Sequence, residues 1–115
     1  MKKLALILFA AIALNALAAE SAVKGFLVDA SCNAEEGQEP NFGARHTKSC
    51  LKMDECIRSG YGVFTADKKF IKFTKEGDEQ VKKFIGTLSK DSDIRVTVTG
   101  EVSGDRMTVS KIELQ

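Results

Sequence analysis

The first apolar pattern in the chain has no period. Residues 4–14 (LALILFAAIAL) are an uninterrupted apolar run behind Lys2 and Lys3, and Ala16-Leu17-Ala18 follows with small residues at both positions a signal peptidase reads. A charged start, a short apolar stretch and a small-residue cut site make the pattern of a secretory signal peptide. The run is too short to span a bilayer as a helix, which needs roughly 20 residues. Cleavage is expected after Ala18. No cysteine follows the cut, which disfavours a lipid anchor. The mature chain is then one domain, residues 19–115, periplasmic or secreted, with no stable membrane insertion.

Beyond the leader the pattern becomes periodic. Residues 23–28 (VKGFLV) read as a strand rich in β-branched and aromatic types. Residues 29–45 read as a loop, with the only Pro, two Gly and several acids. Residues 46–58 (HTKSCLKMDECIR) read as a helix for at least the first half, with Thr47 as cap and Gly60 as stop. Residues 62–65 and 69–73 read as a strand pair around a turn at Ala66-Asp67-Lys68. Val81, Phe84, Ile85 and Leu88 then recur at helical spacing behind the acids Glu76, Asp78 and Glu79, which suit a helix N-terminus. Ile94, Val96 and Val98 alternate with polar residues, and Gly100 suggests a bend. Ser103-Gly104-Asp105 predicts a tight turn. Met107 and Val109 alternate on one parity, Ile112 and Leu114 on the other. A bulge near Ser110-Lys111 would return both pairs to one face.

Five strands with a helix between the third and fourth predict a mainly β fold. The order is that of an OB-like five-stranded Greek-key barrel, with an extra helical insert between strands 1 and 2. The competing arrangement is an α+β sandwich.

Composition changes the picture once the leader is subtracted. Lys2 and Lys3 leave with it, so 17 basic residues fall to 15 against 16 acidic, and the net charge moves from +1 to −1. That balance, with export, argues against nucleic acid as partner. The remaining 97 residues hold a modest core that gains from a covalent or metal staple. Phe26, Tyr61, Phe64, Phe70 and Phe73 are expected mainly as core, and Lys68, Lys69, Lys72 and Lys75 as a solvated surface.

The distinctive chemistry lies in the insert. Cys32, His46, Cys50 and Cys56 fall within 25 positions. His46 and Cys50 would share a helix face, and both suit zinc or copper. Cys50 and Cys56 lie about 120° apart around a continuous helix and about 9 Å along it. They can therefore meet only if the helix breaks near Met53-Asp54-Glu55; otherwise Cys32 pairs with one of them. Three uses remain open: a structural disulfide of Cys32 with Cys50 or Cys56, a Cys3His metal site, or a redox thiol, the last weakened by the absence of C-x-x-C.

Three blocks, VKGFLVDASC, HTKSCLKMDECIRSGYGVF and IRVTVTGEVSGDRMTVSKIEL, resemble a group of small exported bacterial OB-like proteins. That group carries a Cys…His-x3-Cys…Cys insert, which falls here on Cys32, His46, Cys50 and Cys56. Many of its members space the last two cysteines by three residues, not five. The resemblance implies fold and export and supplies no activity. The expectation is a non-enzymatic binding or accessory domain that takes zinc or copper through its Cys/His cluster. The alternative is a disulfide-stapled module for a peptide, a glycan or an envelope protein, and a thiol redox protein comes third.

Overall fold

A computed structural model describes residues 19–115. The expected signal peptide, residues 1–18, lies outside them. Among the described residues no helix is long and apolar enough to cross a membrane.

The chain runs β1 (Ser21–Asp29), α1 (Ala30–Glu36), α2 (Phe42–Arg45), α3 (Lys48–Leu51), α4 (Asp54–Ser59), β2 (Tyr61–Phe64), β3 (Phe70–Phe73), α5 (Lys75–Thr87), β4 (Arg95–Gly100), β5 (Val102–Ser103), β6 (Arg106–Met107) and β7 (Lys111–Leu114). The strands form one mixed sheet in the order β5-β6-β3-β2-β1-β4-β7. Among the described residues the fold is mainly β, as the alternation predicts, but it has seven strands rather than five and is not closed into a barrel.

Two of the expected strands are each divided. Thr108 N donates to Glu101 O at 3.0 Å and Ser110 N to Thr99 O at 2.8 Å, so the two arms of the hairpin stay bonded past Gly100. A Cβ on Gly100 would stand 1.9 Å from Thr108 O, so only glycine allows that close approach. Near Ser110 the antiparallel register shifts by one residue, from Val102↔Met107 in β5–β6 to Thr99↔Lys111 in β4–β7, as the expected bulge requires, while β6 also runs parallel to β3. The shift turns Met107, Val109 and Ile112 toward the core, but Leu114 stays 43% exposed, against expectation.

The nine-residue β1 joins the sheet's halves, pairing with β4 from Ser21 to Phe26 and with β2 from Phe26 to Asp29. Its alternation feeds two apolar layers. Leu27 enters the main core with Val63, Phe73, Val96 and Val98, which is closed by Val81 and Ile85 of α5 and by Leu88 just after it. Thr74 caps α5 by accepting from Gly77 N at 3.3 Å. Val28 turns to the other layer, where it packs with Phe42 and Phe64, and Cys32 lies against them. That second layer carries the insert.

Candidate metal centre

The local sequence explains how the insert folds. Asp29 ends β1 in extended conformation and accepts from Cys32 N through Oδ2 at 2.9 Å, which starts α1. The segment read as loop is therefore helical over Ala30–Glu36 and Phe42–Arg45. Thr47 caps α3 as expected, accepting from Cys50 N at 3.1 Å. His46 lies outside α3 with extended backbone, so the predicted helix face shared with Cys50 is not formed. The helix breaks at Lys52 and Met53, and Asp54 opens α4. The helix thus breaks near the expected place, yet the sulfur grouped with that of Cys56 is that of Cys32, not Cys50.

Backbone contacts bring α1 onto α4. Ala30 N donates to Gly60 O at 2.9 Å, Ser31 N to Ser59 Oγ at 3.1 Å, and Ser59 Oγ to Cys56 O at 2.8 Å. The result is that a carboxylate oxygen of Asp29 and the sulfurs of Cys32 and Cys56 lie within 4.8 Å of one another. Asp29 and Cys56 are buried and Cys32 is half-buried. All three cysteines are free thiols.

His46 joins this group through Asp29. Its Nε2 stands 2.7 Å from Asp29 Oδ1, with both side chains almost fully buried. Neither atom has a hydrogen bond of good geometry, so the pair is a close electrostatic contact with bonding capacity to spare. Phe42 packs on the imidazole at 5.5 Å between ring centres and seals it. Cys50 is half-buried and lines a pocket with Cys32 and His46.

Electrostatics follow from this crowding. Burial alone would raise the pKa of Asp29, but His46, the Cys32 N–H and Cys56 together hold it below its ordinary value. Burial, then the Asp29 charge, pushes the Cys32 thiol far up and the Cys56 thiol up to about 11. Three potential anions thus share one dry site in which both thiols keep their protons. A cation would reverse that preference, since thiolates are the ligating form.

All four residues singled out from the sequence reach one locality. Cys32 and Cys56 form the donor group, His46 sits behind it and Cys50 beside it. The donor missed in the sequence is Asp29. Its signal was the spacing D-x-x-C directly after a strand, where an acidic side chain caps the helix that carries the cysteine. Comparison of the chain with protein families, with curated proteins and with solved structures gives no match.

Proposed function

We propose that the protein is a non-enzymatic, exported binding or accessory domain that holds one thiophilic cation between Asp29, Cys32 and Cys56. The observation that carries this reading is the 4.8 Å cluster of one carboxylate and two sulfurs. Metal–sulfur bonds of about 2.3 Å put two tetrahedral ligands about 3.8 Å apart, so the group needs only a small contraction. Oδ1 of Asp29 lacks a well-aligned partner, which leaves it a lone pair to give. His46 behind the carboxylate orients it, as outer partners of metal ligands do. A mixed oxygen and sulfur set suits zinc better than Cu(I), which prefers sulfur alone.

The wider reading is an OB-like domain delivered to the periplasm or outside by cleavage after Ala18. The order β3, α5, β4 and the parallel β3–β6 pairing support it. So do the Glu101–Thr108 and Thr99–Ser110 bonds that join its divided strands.

The experiment is a Co2+ titration of the reduced chain, in which thiolate ligation gives a near-ultraviolet charge-transfer band. The band forms with one equivalent in the wild type and in Cys50→Ser, and fails in Cys32→Ser and Cys56→Ser. An equal band in all four chains would remove the reading.

The proximity of the same two sulfurs favours a second reading, a Cys32–Cys56 disulfide that staples α1 to α4. Closing a loop of that length stabilises by about 3.5 kcal/mol in the chain-entropy account. Thiol counting in denaturant on protein taken from the exported compartment separates the two. Three thiols support the metal site and one thiol supports the staple.

A further inference from the structure

Away from the metal centre, the insert meets α5 along a cavity of about 180 Å³. Its floor is made by the buried residues Leu51, Tyr61 and Ile85 and by half-buried Ile57. It shares no residue with the Asp29, Cys32 and Cys56 group. The Tyr61 hydroxyl donates to Leu51 O at 2.9 Å, so its one polar atom is engaged and its ring is left as wall. An apolar cavity of about 150 Å³ takes a benzene molecule, so this one has room for a single ring or a short alkyl chain. The exposed residues of its wall are Lys52, Lys82 and Gly86.

Two observations say what fits there. The first is charge. No acidic residue lines the cavity, and among the described residues neither Lys52 nor Lys82 forms an ion pair. Asp78, one turn before Lys82 on α5, accepts from Tyr61 N instead. An apolar floor beside two unpaired ammonium groups is complementary to a carboxylate carried on an apolar body. The second observation is Gly86. It lies inside α5, where glycine costs stability against alanine. A Cβ there would meet nothing within 4 Å, and its φ is not positive. Neither crowding nor backbone conformation therefore asks for glycine. What the missing side chain leaves is open space in the cavity wall.

We propose that this cavity binds a small monocarboxylate bearing one ring or a short alkyl chain. The apolar body lies on Leu51, Ile57 and Ile85, and the carboxylate sits between Lys52 and Lys82. The inference goes beyond the metal reading and does not depend on it. Recognition is noncovalent. Burial of the apolar body supplies affinity, and the two cations select the anion over a neutral analogue.

The probe is benzoate, titrated into the reduced chain at neutral pH beside its neutral analogue benzamide, and followed by the NMR methyl signals of Ile57 and Leu51. The expected result is a saturable shift below about 10 mM benzoate, with benzamide about fivefold weaker. Gly86→Leu fills the wall without lowering the thermal midpoint and should weaken benzoate about tenfold. Lys52→Gln combined with Lys82→Gln should bring benzoate to the level of benzamide, whose own binding stays within about twofold. The midpoints of both variants separate loss of the cavity from loss of the fold. A wild type with no saturable shift at Ile57 would overturn the proposal. So would benzamide binding as tightly as benzoate, or benzoate binding undiminished in either variant.

Discussion

At the scale of single residues, Asp29 ties the account together. One oxygen starts α1 by accepting from Cys32 N, and the other stands 2.7 Å from His46 Nε2. Removing one side of a buried polar contact leaves the other unsatisfied at a cost of roughly 1 to 3 kcal/mol, and losing a cap costs about 1 more. Asp29→Ala should therefore destabilise the apo chain by several kcal/mol in urea denaturation. Asp29→Asn retains a cap acceptor and should be about 1 kcal/mol milder. Equal unfolding midpoints for the two variants would count against the cap. The sign with pH is fixed as well. Asp29 is held below its ordinary 3.8, so its contribution is present above that value and drains away as pH falls through the folded one. None of this was readable from Asp29 by itself. The sequence shows an acid between a strand and a Cys; only packing shows that the acid is buried against His46.

At the scale of elements, two glycines test how the insert is hung on the sheet. Gly60 ends α4 at φ +83°, and a Cβ there would stand 2.7 Å from Asp78 Oδ2 and 2.9 Å from Lys72 Nζ. Asp78 in turn accepts from Tyr61 N at 2.9 Å, which locks the entry into β2. Gly60→Ala should cost roughly 1 to 3 kcal/mol. Gly86 lies in α5 with open space around it, and Gly86→Ala should stabilise by about 0.5 to 1 kcal/mol. The pair of thermal midpoints must move in opposite directions; a shift of the same sign would contradict the assignment. Elements with a clean period were legible in advance. The Val81–Leu88 stripe gave α5, and the alternation around Val96 gave β4. The insert was legible only in its second half, where Thr47 starts α3 and Gly60 ends α4; its first half was not, because α1 and α2, of seven and four residues, are held by caps and cross-contacts rather than by an apolar stripe. Strand division at Gly100 was half legible: the glycine marked a bend, and the close approach of Thr108 that demands it is a tertiary fact.

At the scale of the whole molecule, a small domain has placed a carboxylate oxygen and two sulfurs within 4.8 Å of one another. That makes stability depend on pH at the alkaline end. The folded Cys56 thiol titrates at about 11 instead of 9.0, and Cys32 higher still. Above pH 9 the unfolded chain sheds protons that the folded chain keeps, so the apo protein should lose on the order of 2 kcal/mol per thiol between about pH 9 and 11. Thermal midpoints of the reduced chain at pH 8 and 10.5 check this, and an unchanged midpoint would contradict it. Cation binding runs the other way, since ligating thiols must lose their protons and affinity therefore rises with pH. The most direct measurement of the central claim is native mass spectrometry of the reduced mature chain with one equivalent of Zn2+, beside Cys32→Ser. The account predicts a wild-type mass of protein plus one zinc less two protons, and no zinc on Cys32→Ser. A zinc-free wild type, or a variant that loads as fully as wild type, would contradict it.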